Sequence, residues 1–497
     1  MRRTYFLVGT AMTLIAAPAA AETLRDALAK AYNTNPTLSG ERARVRSEDE
    51  NVPIARSQGL PSLDVTGGYS ENVLKASNNF VSPDRQLVAT PNFSVPIFSG
   101  GAVRNSVAAA KTRVEANQLG LRGTESSLFT AVVGAYMDVI RDAAIVSLNQ
   151  QNVKVLDVNL QASRDRFQVG DLTRTDVAQS EARLALARSQ LQTAQSKLIS
   201  SRENYIRLVG DAPGTLEQPP AIPDTPANAE GAVDIALERN PTLLAAKKAR
   251  DATKFDVDAA RAGRLPKLSV NVGGNYYNYF GSLGGGPLAT QSGKSATVGV
   301  GVSVPLYQGG RPAAQIRQSQ ERRGQAIEQA TEAERTVVAN TRSAYAVWKS
   351  SEEVIASSEV AVNANKLSLE GVRAENSVGN RTILDILNAE QELLNSQVTL
   401  VTARRDSYVA RFALQAAMGR AEARDLGLDG GALYDPVTNY KRVSGKWSDW
   451  GSAPDVQAVG TSTRQTPAQT SEVTGQLDPI LDAPVDRGTA NPAGEPK

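Results

Sequence analysis

The 497-residue chain is written twice. Leu60-Pro61-Ser62-Leu63-Asp64-Val65 returns as Leu265-Pro266-Lys267-Leu268-Ser269-Val270. Ser94-Val95-Pro96-Ile97-Phe98-Ser99-Gly100-Gly101 returns as Ser303-Val304-Pro305-Leu306-Tyr307-Gln308-Gly309-Gly310. Asn35-Pro36-Thr37-Leu38 recurs as Asn240-Pro241-Thr242-Leu243, and Val169-Gly170 with Thr173 and Asp176 recurs as Val378-Gly379 with Thr382 and Asp385. The offset is 205 residues early in each half and 209 later. A repeat this long excludes a short-period solenoid, whose units run to about 20–50 residues. What one half builds, the other must build too.

Each half opens with a helical segment, at 24–57 and 233–262, which Leu-Pro ends because proline cannot continue a helix and restricts the residue before it. Two strand-like stretches follow. Leu63, Val65, Gly67 and Tyr69 alternate with Asp64, Thr66, Gly68 and Ser70, and Phe93, Val95 and Ile97 alternate with Asn92, Ser94 and Pro96. In the second half Leu268, Val270 and Val272, then Val298, Val300, Val302 and Val304, alternate with small or polar residues. Period two gives one apolar and one polar face. Gly/Ser/Asn/Pro-rich tips lie near 75–86 and 281–295.

Beyond Gly100-Gly101 and Gly309-Gly310 the chain is rich in helix formers, to about 167 and over 312–376. Gly170 and Gly379 punctuate these runs, and Thr173…Asp176 and Thr382…Asp385 match the capping box that restarts a helix. The returning helices keep a heptad: Val177, Leu184, Leu191, Leu198 and Tyr205 in one, Ile386, Leu393, Leu400, Ser407 and Leu414 in the other. Small residues such as Ser180, Ala187, Ala389 and Ala403 stand three positions on, so the helices can approach closely in a left-handed supercoil. At 1.5 Å per residue the long helix spans roughly 100 Å and the two shorter ones roughly half that each. Each half is thus expected to be a two-column helical rod with a β-hairpin at one end.

Residues 1–21 read as a secretory leader: Arg2 and Arg3, a short apolar run over 5–15, then Ala19-Ala20-Ala21. Taking those two arginines from the 54 basic residues leaves 52 against 52 acidic, a balance that argues against nucleic acid as partner. The chain has no cysteine, hence no disulfide or thiol chemistry, and no histidine, the usual general base and metal ligand. No Ser/His or metal-ligand constellation can be assembled here; neither an enzyme nor a cofactor is expected. Residues 211–230 carry five prolines and read as a linker between repeats 22–210 and 231–429; residues 430–497 lack an apolar period and read as a mostly disordered tail.

Four strands with one apolar face cannot close a barrel in lipid, where every strand edge must be paired and the smallest membrane barrels use eight strands. Copies must combine. Two, three or four would close; three give twelve strands and a matching ring of helical columns.

The two-fold repeat, the Ser-Val-Pro junctions with their Gly-Gly pairs, and Val378-Gly379 with Arg381, Thr382 and Asp385 resemble TolC-type outer-membrane channels over residues 22–425. The resemblance implies an α+β membrane protein, a homotrimer whose twelve-stranded β-barrel sits in outer-membrane lipid and continues as a long periplasmic α-helical barrel. It also implies docking to a periplasmic adaptor and an inner-membrane ABC or RND transporter, for type I secretion or drug efflux in a Gram-negative bacterium. Absence of an N-terminal cysteine tilts this reading toward the secretion branch. Acidic rings line the family's closed mouth; the first matches Asp385, while the second falls on Asn388. Polar links hold that mouth shut, and Arg381 and Asp176 match two of their positions, with Asn376 replacing an expected tyrosine. On the residues alone, Asp385 and Asp176 are equally capping acids, and Arg381 an i, i+4 partner of Asp385. Tyr69, Phe93, Phe98, Tyr276, Tyr277, Tyr279, Phe280 and Tyr307 fit an interfacial girdle, or are ordinary strand formers. A poreless coiled-coil scaffold or adhesin is the alternative architecture.

Overall fold

A computed structural model describes residues 21–74, 82–223, 226–286, 289–428, 433–452, 455, 457–473 and 478–481. Nearly all of the expected leader, most of the first tip loop and the last part of the tail lie outside them. The first half runs α1 (Leu24–Thr34), α2 (Pro36–Asp49), α3 (Asn51–Ser57), β1 (Ser62–Glu71), β2 (Arg85–Phe98), α4 (Ala102–Gln168) and α5 (Arg174–Val209). The second runs α6 (Ala229–Arg239), α7 (Pro241–Arg261), β3 (Lys267–Asn278), β4 (Ser292–Ser303), α8 (Arg311–Ser377) and α9 (Ile383–Ala417), and a short α10 (Pro436–Val443) follows. Among the described residues no helix is long and apolar enough to cross a membrane.

The opening segments are not single helices. Asn-Pro breaks each one: Asn35 Oδ1 accepts from the Thr37 and Leu38 amides (2.9 and 3.4 Å), and Asn240 Oδ1 from Thr242 and Leu243 (3.0 and 3.1 Å). Proline then fills the first helical position, where its missing N–H costs nothing. The same asparagines donate outward, Asn35 to Leu208 O and Asn240 to Ala417 O, both at 2.9 Å. Each thereby ties the start of its half to the end of the returning helix.

The strands form one antiparallel sheet in the order β1-β2-β3-β4. Its register aligns Leu63, Phe93, Val272 and Val298 in one row, and Val95, Val270 and Val300 in the next. Ser62, Ser94, Asn271 and Gly299 fall on the opposite face, where Ser94 Oγ donates to Asn271 Oδ1 at 2.8 Å. The apolar face is bare: Val298 and Val300 are 76% and 67% exposed. The alternation does not run through Ile97. A bulge between Pro96 and Phe98 sets Phe98, not Ile97, opposite Leu268, at a proline that cannot donate to the ladder. Likewise β4 ends at Ser303, short of Val304.

The two 67-residue helices run beside their returning partners, α4 with α5 and α8 with α9. The main core sits at mid-height around Phe129, Tyr136, Leu198 and Tyr205, all fully buried, with α1 and α2 packed on it. The second half's α7 lies along α4 more extensively than α2 or α3 does. The opening helix that stacks on the first rod therefore comes mainly from the other half.

Parts of the tail among the described residues make specific contacts. Asn439 donates to Asp49 at 2.7 Å, and Val443 is buried. Further on, Arg202 donates to the carbonyls of Thr470 and Glu472, Arg404 pairs with Asp478 at 2.8 Å, and Gln397 donates to the Leu481 carbonyl at 2.8 Å. Leu481 is 3% exposed between the two helical hairpins, against Leu148, Val362 and Leu400. Long-range partners of single residues, invisible to a local periodicity, hold this segment in place.

Candidate channel entrance

Two helix–turn–helix tips lie at the end of the rods away from the sheet. Gly170 (φ +83°) and Gly379 (φ +81°) take left-handed backbone that other residues adopt at a cost. Their amides bond back to Phe167 O and Asn376 O, each at 3.0 Å, and the next amides reach Arg166 O and Glu375 O at 2.9 Å, closing each long helix. Both capping boxes form. Asp176 Oδ2 accepts from the Thr173 amide and hydroxyl at 2.9 and 2.8 Å, and Asp385 Oδ2 from those of Thr382 at the same distances. Donation by the threonine backbone N–H, then by its hydroxyl, holds both carboxyls below their ordinary range.

The structure does not join Arg381 to Asp176 within the chain. Arg381 Nε donates instead to Glu375 Oε2 at 2.7 Å, six residues back across the turn, and that carboxylate raises its pKa. Asp385 contributes to the Arg381 field only after Glu375, so the i, i+4 reading is also secondary. Asn376 donates Nδ2 to Arg381 O at 2.7 Å and staples the turn. In the first turn Arg166 Nε pairs with Asp171 at the longer distance of 3.5 Å, and Arg166 Nη1 donates to Asn376 Oδ1 of the second turn at 3.5 Å. Asn388 accepts at 2.8 Å from Arg183 Nη2 of α5. Sequence reasoning missed Glu375 and Arg183. The available signal for Glu375 was the turn itself, which folds position 381 back over the last helical turn.

At the other end, Gly101 and Gly310 (φ +86° and +82°) start α4 and α8 in left-handed conformation. Pro96 stands at the bulge, while Pro305 follows β4 in irregular chain. The junctions differ in surroundings. A Cβ on Gly100 would lie 2.8 Å from Leu265 Cβ, whereas one on Gly309 would meet nothing within 4 Å. Tyr69 packs edge-on against Phe280, and the tilted rings of Tyr277 and Tyr279 lie 4.9 Å apart, near the far end of the sheet; Phe98 and Tyr307 lie at the helical end.

The family model "Outer membrane efflux protein" matches residues 27–211 and again 232–420, one block on each half. The chain belongs to the outer membrane efflux protein family. It is 36% identical over 443 residues to the outer membrane efflux protein BepC of Brucella suis biovar 1 (strain 1330), covering 89% of this chain and 94% of BepC. It is 27% identical over 485 residues to the outer membrane protein TolC of Escherichia coli (strain K12), covering 94% and 97%. The fold is similar to that of the Campylobacter jejuni CmeC outer membrane channel, with TM-score 0.70 and 17% identity, covering 85% of this chain and 89% of that one. This efflux family member is thus a TolC-type export channel of the Gram-negative outer membrane, in type I secretion or multidrug efflux, and TolC-like proteins of this kind work with adaptors and inner-membrane transporters. The family's proteins transport and are not enzymes, and a poreless scaffold or adhesin is not favoured.

Proposed function

We propose that three copies close the sheet edge to edge into a twelve-stranded barrel in outer-membrane lipid, continued by a helical barrel through the periplasm. The observation carrying this is the β2–β3 seam. There the first half's Gly100 junction meets Leu265 of the second half, while, among the described residues, the repeat-equivalent Gly309 and the outer edges of β1 and β4 have no neighbour. By the offsets of 209 and 205, Ser94 opposite Asn271 becomes Ser303 opposite Thr66 of the next copy. Strands of 10–14 residues suffice, since a tilted membrane strand needs about 9–11. Valine-rich rows face lipid, and the Ser/Asn/Gly face lines a wet lumen. Family resemblance, not closure geometry, selects three.

At the periplasmic end, Asp385 from each copy lines the entrance, with Asn388 in place of a second acid. Arg381, Glu375 and Asn376 stiffen the second turn so that it rests closed, and Asp176 stiffens the first. Residues 1–21 direct export. The cargo is small molecules or polypeptide handed over by the adaptor and transporter.

The chain contains no cysteine, so engineered pairs report cleanly. Oxidised Thr66→Cys/Ser303→Cys should run as covalent multiples up to a trimer in denaturing, non-reducing gels, while Ser94→Cys/Asn271→Cys links only within one chain. Cross-linking of the second pair without the first overturns the closure. Multiples ending at another number overturn the trimer.

A further inference from the structure

One contact between the halves near the tips is not explained by the repeat. Arg183 on α5 donates Nη2 to Asn388 Oδ1 on α9 at 2.8 Å. Leu184, Ala187 and Leu387 form an apolar floor beside it with Leu156 and Leu160 of α4. Among the described residues Arg183 enters no ion pair, and its neighbour Glu181 is taken by Arg164 at 3.2 Å. The guanidinium therefore meets a neutral amide, and its charge is uncompensated. The repeat equivalent of Arg183 is Glu392, so the shared packing does not demand a cation here.

Position follows from helix geometry. Asn388 stands three residues beyond Asp385 on the same face of α9, about 4.5 Å further along the axis. We propose that Arg183 is a charge-selectivity residue of the channel. It places a ring of guanidiniums one helical turn inside the Asp385 ring, so the entrance is carboxylate first and cation second. Asn388 positions it by accepting one hydrogen bond, a role an aspartate would fill only by cancelling the charge. A dipolar mouth of this kind opposes cations that the outer ring attracts, and it admits anionic small molecules and acidic polypeptide segments that two acidic rings would repel. This rests on the reading of Asp385 as a mouth residue.

The test is the reversal potential of purified full-length channels in planar bilayers under a potassium chloride gradient. Arg183→Gln keeps a hydrogen-bond donor and removes the charge. It should raise the potassium-to-chloride permeability ratio roughly five-fold, the scale of one unit interaction at 4 Å in water. Arg183→Lys should restore the wild-type ratio, which a purely structural role would not require, and Asn388→Asp should raise it as Arg183→Gln does. Asp385→Asn, measured in parallel, should lower the ratio. If Asp385→Asn shifts selectivity while Arg183→Gln does not, the inference falls and the mouth reading stands. If neither shifts it, both fall. A rise in Arg183→Gln alone overturns the carboxylate-first arrangement, since Asp385 is then only a cap. Arg183→Met, lacking charge and donor alike, serves if Arg183→Gln does not assemble.

Discussion

Helices α4 and α8 are the same length and occupy the same place in the repeat, yet α4 has 22 buried residues and α8 only nine. α4 lies inside the protomer, with α5, α7 and α9 beside it. α8 lies at its edge and leaves a spaced series of apolar side chains bare: Val347, Val354, Val360 and Leu367, the last 71% exposed. Strands divide in the same way, β2 and β3 inside the sheet and β1 and β4 at its edges. The difference is one of neighbours more than of pattern. Elements facing the middle of the chain find the other half, and elements facing outward are left exposed, the surfaces that the proposed assembly would cover.

The largest effects should separate interior from edge. Phe129→Ala removes a fully buried ring from α4 and should cost about 3–5 kcal/mol, lowering the melting temperature of the protomer as well as that of the assembly. If the assembly alone responds, the core does not belong to the single chain. Val300→Arg, on the bare face of the edge strand β4, should cost roughly 2–4 kcal/mol near mid-membrane and abolish heat-stable oligomers in gels. Normal oligomers would reverse the assignment of the two faces. Leu367→Asp on α8 should leave the protomer's far-ultraviolet circular dichroism unchanged while weakening association by about 1–2 kcal/mol per contact. An unfolded protomer would place α8 in the interior and erase the distinction.

The smallest effect concerns the tips, where the halves are alike. Both capping carboxyls titrate below the ordinary 3.8 because they accept from threonine N–H groups. A lowered folded-state pKa means the cap contributes at neutral pH and is lost as pH falls through the depressed value. Hydrogen exchange at the Asp176 and Asp385 amides should therefore stay slow down to about pH 4. Below that it should quicken relative to the intrinsic rate at both tips alike. A difference between the tips would show that Arg381–Glu375, present only in the second, adds to the cap.

Much of the architecture was legible because it is carried by local signals. Thr-x-x-Asp after a glycine, Leu-Pro before a strand, and period two against a heptad each act within a few residues, where backbone sterics and hydrogen bonding decide the outcome. Asn-Pro was legible in principle as well, as a cap followed by an N1 proline, and it breaks the opening helices. The tail was not legible, since Leu481 and Asp478 are held by residues more than 70 positions away.

The sequence by itself determined the duplication, the four strands with one apolar face, the paired helical hairpins and the capped tips. Only the tertiary structure decided the partners. It put Arg381 on Glu375 rather than Asp176, brought Arg183 to Asn388, laid α7 along α4, and left Gly309 open where Gly100 is filled. The physical reason is range. Dihedral preferences and capping are settled between neighbours in the chain, whereas ion pairs and close packing depend on which distant surfaces arrive at the same place, and two identical motifs can meet different surfaces.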